Sequence, residues 1–104
     1  MNTQFIVDER LRIPLPNLTM PWDDYTEEIQ QEILVQWETI RGRIPDRIAE
    51  LEAEINSKLH DLGEENNFPR SCELNSDISE LASIINDLWL YYRMNQNVSE
   101  KIHM

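Results

Sequence analysis

The chain contains few residues of several types, and each scarcity excludes a class of protein. Its 104 residues include one cysteine, Cys72, and two glycines. A single cysteine can form no intrachain disulfide and no cysteine-based zinc site. The glycine-rich loop that cradles phosphates in nucleotide-binding proteins is missing. No apolar run approaches the roughly 18 residues that a membrane-spanning helix needs, so we expect no membrane association.

Basic residues are also scarce, with 9 lysines and arginines against 20 acidic residues and a formal net charge of −11. Direct binding to nucleic acid is not expected, because no broad basic surface is present to neutralise phosphates. The charge suits a soluble protein whose partner, where it has one, carries a basic surface. Because the start of the sequence lacks a basic segment followed by an apolar stretch, we expect a cytoplasmic location.

The titratable side chains do not form the patterns of catalytic, metal or cofactor sites. His60 and Glu64 have the i, i+4 spacing of half a metal site, but His60 lies away from the apolar stripe of its predicted helix. Cys72 precedes Glu73, whose carboxylate disfavours a reactive thiolate. The Glu-x-x-His motif of carboxylate-bridged metal bundles occurs once, at Glu100 and His103 in the predicted polar tail, whereas those bundles use it twice. The sequence thus predicts a protein that is not an enzyme and that holds no metal or other cofactor.

Apolar residues recur at spacings of three and four along most of the chain, which is typical of helices packed along a seam. Scarce glycine and abundant Glu, Ile and Leu favour the same class. We therefore predict an all-α fold, an antiparallel bundle of about three helices near residues 23–41, 45–63 and 75–96. The second and third helices are expected to form a coiled-coil-like hairpin, and residues 23–97 to form one helical domain.

The boundary between the first two predicted helices has two interpretations. Gly42 and Pro45 stand close together, which favours a break or a sharp kink. The apolar positions nevertheless continue in phase across the proline, from Trp37 to Ile55. We favour the break, and one long helix kinked at the proline is the alternative.

Local motifs predict the other boundaries. Asp24 and Glu27 have the spacing of a capping box, which places the start of the first helix near residue 23. Residues 66–71, NNFPRS, combine turn-forming residues with a proline and predict the clearest loop in the chain. The third helix is then expected to be capped by Asp77 or, farther upstream, by Asn75 or Ser71.

Both ends of the chain are predicted to lie outside the helices. Residues 1–22 contain Pro14, Pro16 and Pro21, which exclude a long helix. The same stretch carries too many aliphatic side chains for a free tail, so we predict an extended N-terminal arm packed on the bundle. At the other end, residues 98–104 are predicted to form a flexible polar tail.

The stretch Leu74–Arg93 has more apolar surface than one helix ordinarily buries. Its apolar arc spans about 180°, against about 100° for an ordinary surface helix, and Leu90 lies outside even that arc. One neighbouring helix cannot cover such an arc, so either two other elements of the same chain pack against it or a second copy or a partner does. The predicted interface comprises six residues: Ile84, Leu88, Trp89, Leu90, Tyr91 and Tyr92. The same residues are also typical of an ordinary core, and that interpretation stays open.

Together these features predict a small non-enzymatic module for protein–protein interaction or regulation that self-associates, with a homodimer favoured. The alternative function is an acidic inhibitor or nucleic-acid mimic that occupies a basic site on a partner protein. Its partner-facing surface would comprise Glu27, Glu28 and Glu32, near the start of the first predicted helix.

Overall fold

Two long helices form an antiparallel hairpin, and a small β-sheet packs against one side of it. The computed structural model describes the backbone of residues 4–103 and the side chains of residues 4–93. Its elements are β1 (Phe5–Asp8), β2 (Ile13–Pro16), a short 3₁₀ helix (Trp22–Asp24), α1 (Glu27–Glu64) and α2 (Phe68–His103). The molecule measures 59 × 21 × 19 Å, so its long axis is about the length of α1.

The predicted all-α bundle of about three helices is wrong. The part of the chain that the structure describes contains two long helices and a two-stranded antiparallel sheet. The first two predicted helices are one helix, and part of the predicted extended arm is a β-hairpin. The expected hairpin of the last two helices agrees only in part, because α1 includes both of the first two.

α1 continues through Pro45, so the favoured break at this boundary is also wrong. Proline has no N–H, which leaves the carbonyl oxygen of Arg41 without its intrahelical donor. The helix persists because the isoleucines around the proline, Ile40, Ile44 and Ile48, are all buried. Burying each of them contributes about 1.5–3 kcal/mol, and together they outweigh the roughly 3 kcal/mol cost of an interior proline.

The start of α1 is capped one residue before Glu27. Thr26 is the N-cap, and its side-chain oxygen accepts a hydrogen bond from the N–H of Ile29 at 3.3 Å. This interaction satisfies one of the donors that a helix start leaves unpaired. Asp24, the predicted cap, instead ends the short 3₁₀ helix that precedes α1.

The start of α2 lies within the predicted loop at residues 66–71. Asn67 precedes the helix, and its Oδ1 accepts a hydrogen bond from the N–H of Arg70 at 3.1 Å. Pro69 occupies the first turn of α2, where a backbone N–H would have no intrahelical partner. Only residues 65–67 therefore separate the two helices, so the predicted loop at residues 66–71 is wrong for residues 68–71, which belong to α2.

The β-hairpin accommodates its prolines without losing hydrogen bonds between the strands. β1 and β2 pair antiparallel, with Phe5 opposite Pro16. Beside that pair, the N–H of Asn17 donates to the carbonyl oxygen of Gln4 at 2.7 Å. Because hydrogen-bonded and non-hydrogen-bonded pairs alternate along an antiparallel ladder, the neighbouring pair of Phe5 and Pro16 is not hydrogen-bonded. By this alternation, Pro14 and Pro16 stand at positions whose N–H would point away from β1. Residues that exclude a helix are thus compatible with this edge strand.

The turn between the strands holds Arg12 in a left-handed conformation. Its φ is 61°, a region that side chains with a Cβ atom adopt at a cost. Asp8 holds the turn in place with two hydrogen bonds. Its Oδ1 accepts one from the N–H of Leu11 at 2.8 Å, and its carbonyl oxygen accepts one from the N–H of Arg12 at 2.7 Å.

Replacing Arg12 with glycine should stabilise the protein. We expect Arg12→Gly to raise the free energy of unfolding by about 1 kcal/mol, because glycine adopts a positive φ without steric cost. The matched control is Arg43→Gly at an exposed interior position of α1, which should lower it by about 1 kcal/mol. Urea unfolding followed by circular dichroism measures both, and a loss of stability in Arg12→Gly would contradict strain at this turn.

The hydrophobic core lies where the β-hairpin meets both helices. Leu11 and Ile13 bring the hairpin into the same buried cluster as α1 and α2. The buried members of this cluster are Leu11, Ile13, Trp37, Ile40, Ile44, Ile48, Leu51, Ile84 and Leu88. The sheet is thus part of the core rather than a separate surface feature.

Two predictions concern the chain as a whole. Among the described residues, neither helix has a stretch apolar and long enough to cross a membrane. The flexible tail predicted at residues 98–104 falls where side chains lie outside the described residues. It stays a prediction.

Candidate interaction surfaces

Arg10, near the tip of the β-hairpin, attaches the hairpin to α2. Its guanidinium donates hydrogen bonds to Glu80 Oε1 at 3.0 Å, Asp87 Oδ2 at 2.7 Å and Ser83 Oγ at 2.8 Å. Spacings of three and four residues place these acceptors on one face of α2. The hydrogen bonds to Asp87 and then Glu80 hold the pKa of Arg10 above its usual value. The position of the hairpin therefore depends on a planar, always-charged group at this point.

The same tip is attached to α1. Arg47 Nε donates to the carbonyl oxygen of Leu11 at 3.3 Å, and its Nη1 lies 3.3 Å from Glu50 Oε2. The tip thus bridges both helices.

An open groove of about 440 Å³ lies beside the tip of the hairpin, lined by Asp8, Arg10, Leu11, Asp87, Leu90 and Tyr91. Arg10 and Asp87 pair with each other, which leaves Asp8 as the remaining charged side chain in the lining of this groove.

The residues of the predicted interface do not share one environment. Ile84 and Leu88 are buried in the core of the same chain, so their apolar surface is already covered by α1 and the hairpin. Trp89 and Leu90 follow them on α2 and remain 40% and 52% exposed. We call these two residues the Trp89–Leu90 surface. That the predicted residues meet another chain stays a prediction, and these two are its most accessible members.

Aromatic contacts hold the neighbourhood of this surface in place. Tyr91 meets Trp37 edge to face, with ring centroids 6.4 Å apart, and joins α2 to α1. The guanidinium of Arg41 lies 4.7 Å from the ring centroid of Tyr92, a cation–π contact. Tyr92 in turn packs at 89° against Trp89, with centroids 5.5 Å apart. Trp89 is therefore positioned on the surface by its neighbours, which lowers the entropy that binding would cost.

Glu27, Glu28 and Glu32, the predicted acidic surface, lie in the first turns of α1. All three are exposed, and none forms an ion pair with a described residue. Glu27 and Glu28 lie in the first turn, where negative charge at the positive end of the helix dipole stabilises α1. They also leave unneutralised negative charge at this end of the molecule.

The side chains considered for chemistry are exposed and dispersed. His60 lies 3.8 Å from Glu64, and both are about three-quarters exposed. Cys72 is exposed on α2. Among the described residues, no group of three or more His, Cys, Asp or Glu side chains is placed to hold a metal ion.

Three exposed aliphatic residues escaped the sequence-based prediction. Ile6 and Val7 on β1 are 57% and 61% exposed, and Val35 on α1 is 64% exposed. The run of β-favouring residues at Phe5–Val7, followed by a polar turn and alternating apolar residues, is the signal that would have indicated a strand. The prolines after it masked that signal.

Comparison with known proteins adds no assignment. The chain gives no significant match to a protein-family model, to a curated protein or to a solved structure. Its function is therefore argued from its own surfaces.

Proposed function

We propose that this chain is a non-enzymatic protein–protein interaction module that self-associates through the Trp89–Leu90 surface. The observation that carries this proposal is that Trp89 and Leu90, the two residues after the fully buried Leu88, are 40% and 52% exposed. A leucine and an indole side by side on a rigid helix suit the centre of an interface, where aromatic anchors dominate the binding energy. A reduced, cytoplasmic setting is part of this proposal.

Light scattering at physiological salt tests self-association. The wild-type chain is expected to show twice its monomer mass of 12.4 kDa, and Leu90→Asp is expected to show the monomer mass, because a charge at the centre of an interface is left unpaired. Leu59→Asp is the matched control, since Leu59 is a comparably exposed leucine on α1. A monomeric wild-type chain at high micromolar concentration would contradict the proposal.

A second candidate function is recognition of a basic site on another protein. It is supported by the exposed acids Glu27, Glu28 and Glu32, which form no ion pair with a described residue, and by the net charge of −11. Opposite charge accelerates association and selects the partner. Such a complex should weaken as salt concentration rises.

A further inference from the structure

The outer edge of β1 has backbone groups that no described residue pairs. The alternation set by Asn17 and Gln4 directs the N–H groups of Phe5 and Val7 away from β2. No hydrogen bond from another described element reaches these two groups. We call the outward-facing backbone groups of Phe5 and Val7 the β1 edge. Unpaired strand edges are templates for another extended chain.

The other edge of the same sheet is protected. Pro14 and Pro16 remove the outward N–H groups of β2, and β2 is the strand that packs against α1. Proteins commonly protect edges with proline or lysine, but β1 contains neither residue. Extension of this sheet can therefore proceed on one side only.

An apolar groove lies between the hairpin and α1 on the side of this edge. Its volume is about 370 Å³, and its lining includes Phe5, Val7, Pro14, Val35, Thr39 and Ile40. Within this lining, Val35 is 64% exposed and Val7 is 61% exposed. A strand added to the β1 edge would direct every second side chain to this face of the sheet, where it would cover Val35.

Two acidic residues of α1 lie beyond one end of this groove. Glu32 lies three residues before Val35, and Glu28 lies seven residues before Val35. At about 100° per residue, both glutamates therefore lie near the side of the helix that carries Val35. The tip of the hairpin is attached near Arg47, hence β1 runs along α1 with Phe5 toward the acidic helix start. The groove is apolar in the middle and negatively charged beyond one end.

We propose that the β1 edge binds an extended segment of a basic partner protein, which adds a third strand to the sheet. Alternate apolar side chains of the segment enter the groove, and lysine or arginine beyond them meets Glu28 and Glu32. This inference rests on the second candidate function and names its surface. A second copy fits less well, because β1 carries no cation to meet these acids and each copy adds a charge of −11.

Fluorescence polarisation with labelled synthetic peptides tests the inference. The probes are peptides of alternating valine and threonine with Lys-Arg at one end or at the other, and matched peptides with Glu-Asp in place of Lys-Arg. We expect saturable binding of at least one basic peptide, weakened by salt, and at least about tenfold weaker binding of the acidic ones. Amide resonances of Phe5 and Val7 should shift in NMR spectra on addition of the basic peptide.

Two pairs of variants separate the edge from the charge. Val7→Pro removes an outward N–H without removing a bond to β2 and should weaken binding at least about tenfold, whereas Val7→Thr keeps the N–H and should retain most of it. Glu28→Lys combined with Glu32→Lys should weaken binding to a similar degree, whereas Glu52→Lys, at an exposed site farther along α1, should have little effect. Circular dichroism checks that each variant is folded.

The outcomes are distinct. The proposal is overturned when no basic peptide shows saturable binding to the wild type. It is also overturned when the basic peptide binds Val7→Pro and Val7→Thr equally well. A loss of dimer mass on Val7→Pro, without peptide binding by the wild type, assigns the edge to a second copy and also overturns it. Equal binding to Val7→Pro and Val7→Thr, with binding lost in the variant that combines Glu28→Lys and Glu32→Lys, overturns the role of the β1 edge but leaves recognition of a basic partner standing. The two proposals can therefore fail separately, and neither result depends on self-association at the Trp89–Leu90 surface.

Discussion

Leu88→Ala should lower the free energy of unfolding by about 2–5 kcal/mol, the range for a leucine truncated in a closed core. Leu88 is fully buried, with 0% of its side chain exposed. It belongs to the cluster in which the hairpin, α1 and α2 meet, so the cavity cannot be filled by movement of one element alone. The loss combines missing burial with missing contacts around the cavity.

The matched substitution is Leu90→Ala, two residues farther along the same helix. Leu90 is 52% exposed, so the expected change is within about 0.5 kcal/mol. Urea unfolding at several protein concentrations measures both, because a contribution from dimerisation would make stability concentration-dependent. Equal, concentration-independent losses in the two variants would contradict the separation of core from surface on α2.

Pro45→Ala is expected to raise the free energy of unfolding by up to about 3 kcal/mol, the cost of proline in a helix interior. Alanine restores the N–H that donates to the carbonyl oxygen of Arg41, and it removes the clash between the proline ring and the same carbonyl group. Gly42→Ala should add about 1 kcal/mol, because a Cβ atom at Gly42 meets nothing within 4 Å. Amide hydrogen exchange around residues 41–45 should slow in both variants.

Pro69→Ala is the control for this prediction. Pro69 lies in the first turn of α2, where the missing N–H has no intrahelical acceptor, so the expected change is small or slightly destabilising. Urea unfolding compares the two variants directly. A loss of stability in Pro45→Ala would contradict a net cost of the proline at this position and would indicate that its ring is needed for packing.

The candidate surfaces could be predicted only in part. The helical spacing of Leu74–Arg93 identified Leu90 as lying off the apolar arc, and Leu90 is exposed in the fold. The same spacing could not show that Ile84 and Leu88 are covered by the hairpin, because that coverage depends on residues far away in the chain. The β1 edge was missed altogether, since its prolines suggested an irregular arm.

What the sequence determined by itself is local. The apolar positions of α1 from Ile33 to Leu51 have the helical repeat, and those that carry it are buried, because periodicity within one helix depends only on neighbouring residues. The tertiary structure decided the rest. Pro45 stays helical because isoleucines beside it are buried by other elements. The hairpin stays on the helices through contacts such as that between Arg10 and Asp87, 77 residues apart, a separation that no local pattern encodes.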